Sequence, residues 1–324
     1  IIQPPLVTIP NPTAWSHSLG EQNVGVILYY VKERETVPNK TSQEIYSEIL
    51  DDQNPYSFNS FTKEVSYGKM SLRGVVTPWL PISSSYRQAD IQELVTAADP
   101  YIDYSKTKRL ILIYPRTDLD YAHGIGSGKP QVYQTDEGPQ GLVIVMISFN
   151  PQRGNYDFSR KPQLTYTNDN ATGYNLLAHE FGHSLQPSSV AHPGFLLSCP
   201  DGKPYKLING ILDPACIIDL DITDQIGVGY GHYNSVIKEK LGWFLPGHVT
   251  EIKNSGTYTL NSFADRGGIK VLKVPRVICP VTGNINDPCG GDGVGWYYLE
   301  YRTDKGQDHA LFYSPNGPMG TPRN

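Results

Sequence analysis

The stretch His179-Glu180-Phe181-Gly182-His183 decides how the rest of the chain is read. It lies in Thr172 to Leu185, which reads as a helix. Residues four apart on a helix stand one turn above each other. The two imidazoles therefore point the same way, ~6 Å apart along the axis. That geometry lets two neutral ring nitrogens hold one Zn2+ ion. Glu180 is turned about 100° from His179, to the edge of such a site, where it can take a proton from water activated by the metal. H-E-x-x-H on a helix is the spacing expected of a catalytic zinc centre.

Composition sets the frame around that motif. A chain of 324 residues has material for one large core or two smaller ones. Its net charge of −5 argues against a nucleic-acid partner or an anionic membrane surface. No apolar run approaches the ~20 residues a membrane span needs; the best candidate, Gly141 to Phe149, is strand length. No signal-peptide pattern opens the sequence, and Ile1 is compatible with the start of a mature protein or of an expressed fragment. Tyrosine (22), glycine (31), proline (26) and asparagine are plentiful, and richness in tyrosine and asparagine with many loops fits an extracellular protein.

The four cysteines are Cys199, Cys216, Cys279 and Cys289. None of their spacings is C-x-x-C, so a zinc ribbon is not expected. Pairing sequence neighbours, Cys199 with Cys216 and Cys279 with Cys289, closes loops of roughly 10–20 residues, each contributing ~3 kcal/mol if unstrained. Three pairings are open to four cysteines, and four free buried thiols are the alternative. Disulfides imply an oxidising compartment and a secreted protein. Asn39-Lys40-Thr41 and Asn170-Ala171-Thr172 are glycosylation sequons, meaningful in a eukaryotic source.

Hydrophobic periodicity orders the elements. Residues 1–23 are an irregular, Pro-rich segment. Val24 to Tyr30 reads as a buried strand, and Thr41 to Leu50 as a helix with Thr41 and Glu44 spaced as a capping box. Ser57 to Ser66 reads as a short helix and Lys69 to Val76 as a strand. In Ser83 to Ala98, Ile91, Leu94, Val95 and Ala98 share one helical face. Leu110 to Tyr114 and Leu142 to Phe149 read as apolar strands. Between them His123-Gly124-Ile125-Gly126-Ser127-Gly128 reads as a flexible loop beside the site, with His123 a loop histidine. No helix opens after these glycines, which discounts a phosphate cradle. The order of elements predicts an α/β layer with a mostly parallel twisted sheet. Asn234 to Trp243 reads as a last helix, ended by Pro246 and Gly247. From about residue 248 onward the pattern becomes β-rich: Val249 to Ile252, Thr257 to Leu260, Lys270 to Val274 and Trp296 to Arg302 read as strands of a small, sandwich-like region. Ser314 to Asn324 is a Gly/Pro-rich natural tail or a truncation.

Several stretches together resemble a known family. Glu64 to Gly74, Ala97 to Tyr104, His179 to Leu185, Gly231 to Asn234, Lys240 to Trp243 and Tyr297 to Arg302 are similar to the metzincin zinc peptidases. Within that family they resemble the gametolysin-like and immune-inhibitor-A-like secreted metalloproteases. The resemblance spans roughly residues 24 to 302, and only its H-E-x-x-H segment is chemically specific. It implies an α/β zincin catalytic domain over residues 24–247, with an upper part to about 186 and a lower part over 187–247. A β-rich C-terminal domain over 248–324 follows.

A catalytic zinc needs three protein ligands. Metzincins supply the third with H-E-x-x-H-x-x-G-x-x-H or Asp. Here Gln186 stands in place of the glycine and Ser189 in place of the ligand, while His192 follows three residues later. Three residues inserted in the turn make His192 the third ligand; Asp219, Asp221, Asp224 and His232 are the rivals. A Cys199–Cys216 bridge would help fix the loop carrying His192. Asp221-Ile222-Thr223-Asp224-Gln225-Ile226-Gly227 resembles the family's Met-containing turn, with Ile226 in the Met position. Tyr230 or Tyr233 follows where some metzincins stabilise the transition-state oxyanion.

The implied activity is a secreted zinc endopeptidase with one catalytic Zn2+, Glu180 as general base and a protein or peptide substrate. The strand Leu142 to Phe149, or the segment just before it, is expected to be the sheet edge that pairs with an extended peptide. Asn168 to Asn170 and Gly290 to Gly293 are Asp-containing turns that could hold Ca2+, although neither has the spacing of a dedicated calcium loop. A zinc-containing binding or adhesion protein on a degenerate peptidase scaffold is the alternative, and a zinc hydrolase of non-peptide substrates a third.

Overall fold

Every residue of Arg109 to Pro115 is buried, which places this apolar run at the centre of a sheet covered on both faces. The structure is a computed structural model. It describes residues 18–33, 37–83, 91–116, 123–127, 130–150, 158, 173–185, 196–198, 207–208, 211–212, 217–219, 231–278 and 294–308. In chain order the first elements are β1 (Gly20–Val31), α1 (Ser42–Ile49), α2 (Phe58–Val65), β2 (Met70–Ile82), α3 (Ile91–Ala98), β3 (Arg109–Pro115), β4 (His123–Gly126), β5 (Gln131–Thr135) and β6 (Gly138–Phe149). Then come α4 (Gly173–Ser184), β7 (Leu196–Ser198), β8 (Leu207–Ile208), β9 (Ile211–Leu212), β10 (Ile217–Asp219), α5 (Ser235–Lys240), β11 (Val249–Glu251), β12 (Val271–Ile278) and β13 (Val294–Glu300).

The main sheet is mixed, in the order β2-β1-β3-β6-β4, with β5 also paired to β6. The β2–β1, β1–β3 and β3–β6 pairs are parallel. β4 and β5 run antiparallel to β6. This is an α/β layer, as the element order predicts, with antiparallel strands added along the far side of β6.

Side-chain alternation sorts the two faces. Val24, Val26 and Leu28 of β1, Ile111 and Ile113 of β3, and Val145 and Ile147 of β6 share one core with α1, α2, α4 and α5. Ile27, Tyr29 and Val31, with Leu110, Leu112 and Tyr114, pack on the opposite face against Leu94, Val95 and Ala98 of α3. The capping box at α1 forms as its spacing predicts: the Glu44 N–H donates to the Thr41 hydroxyl oxygen at 3.2 Å, and the Thr41 N–H to the Glu44 carboxylate at 2.7 Å.

Two expectations need correction. The glycine-rich segment beside the site is not a loop: His123–Gly126 is a strand, in register with Val145–Ser148. β6 is therefore not the sheet edge, because β4 and β5 both pair along its far side. Glycine carries no hydrophobic alternation, so nothing local marked β4 as a strand.

Beyond α5, β11, β12 and β13 form a separate three-stranded sheet, parallel between β11 and β12 and antiparallel between β12 and β13. Thr257 to Leu260, expected as a strand, joins no ladder among the described residues. This region is bonded to the first one: the Tyr67 hydroxyl donates to the Phe263 carbonyl at 2.8 Å. Short antiparallel pairs join β7 to β10 and β8 to β9. Among the described residues no helix is long and apolar enough to cross a membrane.

Candidate metal centre

Tyr174, Leu177, Ala178, Phe181 and Leu185 recur at helical spacing, and all five are buried. They fix which face of α4 meets the sheet, and leave His179 and His183 on the partly exposed stripe. Three residues, Phe58, Arg109 and Tyr233, hold the helix in place. Phe181 meets the Phe58 ring edge-on at 5.1 Å. The Arg109 guanidinium lies 4.7 Å from the centre of the Phe181 ring, over its face, and donates through Nη2 to the Ser184 carbonyl at 3.1 Å. A cation at this point also suits the negative end of the helix. The Tyr233 hydroxyl donates to the Ala178 carbonyl at 2.7 Å.

The Nε2 atoms of His179 and His183 lie 3.1 Å apart, with ring planes 82° to each other. Two nitrogens at that separation can each reach one ion at the ~2.0–2.1 Å of a zinc–imidazole bond. The Glu180 carboxylate completes a group of three whose donor atoms all lie within 4.8 Å of one another. The donor set thus fits a borderline-soft divalent ion, with two imidazoles to bind it and a carboxylate at hand.

β4 brings the sheet edge against this centre. A Cβ on Gly124 would stand 2.4 Å from Glu180 Cγ, and one on Gly126 would stand 2.2 Å from the Glu180 carbonyl oxygen and 2.8 Å from His183 Cβ. Only glycine lets the strand lie this close to the helix. Ile125, between them, is 57% exposed on the other side. Enclosure by β4 leaves Glu180 only 7% exposed. Burial pushes its carboxyl up to about 7, against the opposing pull of a hydrogen bond from the Gly126 backbone N–H. A carboxyl in that range is poised to exchange protons near neutral pH.

Gly126→Ala is accordingly expected to destabilise the protein by about 1–3 kcal/mol, because the new methyl meets backbone that cannot rotate away. A Cβ on Gly267 has nothing within 4 Å, so Gly267→Ala is the matched control. Denaturant unfolding of both variants checks this; equal stabilities would show that β4 can move off the helix freely.

The other sequence candidates fall in several places. Both ring nitrogens of His232 are engaged in a separate buried cluster: Nε2 is 3.2 Å from the Glu64 carboxylate and Nδ1 is 2.7 Å from Lys238 Nζ. The structure does not bring His232 to the histidine pair. Tyr233 is 1% exposed and its hydroxyl is committed to Ala178, so it supports the helix from the core side and does not face a substrate. Asp219 sits in β10, paired with Leu196. His192, Tyr230, Ile226, Gln186, Ser189, Asp221, Asp224, the four cysteines Cys199, Cys216, Cys279 and Cys289, and both Asp-containing turns lie outside the described residues.

Sequence reasoning missed the supports. Arg109 reads as the polar start of an apolar strand, and its full burial gives no local signal. Lys238 is likewise buried, between the Tyr67 and Phe263 rings at 4.3 Å from each, where desolvation, reinforced by Arg302, pulls its ammonium well below the ordinary lysine range. Neither a scan of protein-family models nor a search of curated proteins returns a match to this chain.

Proposed function

We propose that this chain is a secreted, metzincin-like zinc endopeptidase. The observation that carries the reading is the convergence of the two Nε2 atoms, 3.1 Å apart, beside a buried carboxylate at the edge of a sheet. His179 and His183 would hold the zinc, with His192 as third ligand and Asp219, Asp221 or Asp224 as its rivals. When bound, zinc would act as a Lewis acid, polarising the scissile carbonyl and making water more acidic.

The protein's own groups do the rest. Glu180 takes one proton from the attacking water as the new C–O bond forms. It then hands that proton to the amine nitrogen as the C–N bond breaks, so the carboxylate is regenerated. The Gly126 N–H holds the Glu180 carboxylate in place between these transfers. β4 is the last described strand of the sheet, and an extended peptide could add to it by main-chain hydrogen bonds. That mode suits a protein or peptide substrate. A purely structural or adhesive metal site has no use for a buried base at Glu180, which favours hydrolysis over the binding-protein reading. The four cysteines support an oxidising, extracellular compartment.

The test uses the purified chain. Metal analysis is expected to give about one zinc per chain, with casein or gelatin cleavage abolished by a chelator and restored by added zinc. His192→Ala is expected to lower the zinc content sharply, whereas unchanged stoichiometry would move the third ligand to one of the aspartates. Zinc without cleavage would favour the binding protein, and a chain that takes up no zinc would sink both readings.

A further inference from the structure

We infer that Tyr233 is a positioning residue for the metal centre, acting through the Ala178 carbonyl; this rests on the metal reading of His179 and His183 proposed above. Its hydroxyl donates at 2.7 Å to the peptide group immediately before His179. In an α-helix that carbonyl already faces the N–H of Gly182, four residues on. The tyrosine bond is therefore an additional one, made to a carbonyl the helix itself satisfies. What it adds is a fixed distance between α4 and the segment that carries Tyr233.

That segment is itself held firmly. The Tyr233 ring is 1% exposed and packs against Phe61 and Trp243, with centroids 6.0 and 5.5 Å away. On one side, the His232 N–H donates to the Asp308 carboxylate at 2.9 Å, and Arg302 Nη1 donates to the His232 carbonyl at 3.2 Å. On the other, the Ser235 N–H donates to the Glu300 carboxylate at 2.8 Å, and the Ser235 hydroxyl bonds the same oxygen. Asn234 caps α5 through the Ile237 N–H at 3.0 Å. Three residues of the C-terminal region, Glu300, Arg302 and Asp308, thus anchor the backbone on both flanks of Tyr233. The tyrosine transmits that anchorage to the turn of α4 that bears the first histidine. Ligand pairs tolerate little displacement, about 0.5 Å, so a tether one peptide away from His179 bears directly on metal affinity. It also makes the C-terminal β-rich region part of the metal centre's support.

A merely structural tyrosine is the competing account, and a second tyrosine in this chain separates the two. The Tyr104 hydroxyl donates to the Val95 carbonyl at 3.0 Å, also from a buried ring to a helix, but in the core on the opposite face of the sheet. Tyr233→Phe and Tyr104→Phe each delete one such bond. Both variants are to be titrated with cobalt(II), read by its visible ligand-field absorption, alongside denaturant unfolding of the metal-free chains. Comparable losses of stability are expected. Only Tyr233→Phe is expected to weaken cobalt binding, by roughly three- to tenfold, the size of one hydrogen bond, and to shift the absorption band. Wild-type cobalt affinity and spectrum in Tyr233→Phe, or an equal loss in Tyr104→Phe, overturns the positioning role while leaving the metal centre intact. A wild-type chain that binds no cobalt overturns the metal centre and this inference together.

Discussion

Glu180→Gln is expected to reduce peptide-bond hydrolysis by about 10²–10⁴-fold while leaving the zinc content at the wild-type level. Glutamine keeps the volume of the side chain, which matters because Gly124 approaches Glu180 so closely. Its amide oxygen can still accept the Gly126 N–H, so the local structure should hold. What the amide cannot do is take and return a proton. The loss should fall on kcat, since the step removed is made in the transition state and not in substrate binding. Both histidines are untouched, so metal analysis of the variant separates a lost base from a lost metal. Hydrolysis at the wild-type rate would rule out Glu180 as the base.

Arg302→Ala is expected to cost about 3–5 kcal/mol of stability, the usual penalty for breaking a buried ion pair from one side. The guanidinium contacts Glu300, which is partly buried, at 2.6 Å and Asp308, which is fully buried, at 2.7 Å. It also lies 4.4 Å over the Phe263 ring. Removing it leaves the Asp308 carboxylate buried without its ion-pair partner and the partly buried Glu300 without its own. Burial by itself would raise the Asp308 carboxyl, but Arg302, with His232, overcomes that and holds it below the ordinary value.

The pH dependence follows from that sign. An acid whose folded-state pKa is depressed stabilises the fold above its unfolded value and loses that contribution as pH falls through the folded one. In wild type, Asp308 therefore favours the fold at neutral pH and ceases to do so in strong acid. Without Arg302 the buried carboxylate becomes a penalty at neutral pH that protonation relieves. The stability gap between variant and wild type should accordingly narrow on acidification through the carboxylate range. Denaturant unfolding at neutral and acidic pH measures it, and a gap that is small at pH 7 or constant with pH would contradict the account.

Much of this protein is decided locally and can be read from its residues. Thr41 and Glu44 announce the start of α1, since a capping box needs only four consecutive residues. The apolar runs Val24 to Tyr30, Leu110 to Tyr114 and Leu142 to Phe149 mark central strands, because a strand covered on both faces cannot alternate. The spacing of Tyr174, Leu177, Ala178 and Phe181 sets the buried face of α4, and with it the side on which His179 and His183 emerge. That is why the histidine pair and Glu180 are legible as a candidate site before any fold is known.

Tertiary structure decided the rest, because it depends on neighbours distant in sequence. Gly124 and Gly126 carry no pattern of their own, and become strand β4 only through pairing with β6. Their missing side chains then enclose Glu180, and desolvation by that enclosure raises its carboxyl. His232 and Tyr233 look like site residues by sequence position, yet Glu64, Lys238 and Asp308 engage the first and Ala178 the second. Arg109 and Arg302 carry no local signal of burial and are buried supports. The sequence by itself determined which groups could bind a metal and move a proton. Long-range packing determined their separation, their burial and what holds them, since those quantities are set by strands and helices that meet only in the folded chain.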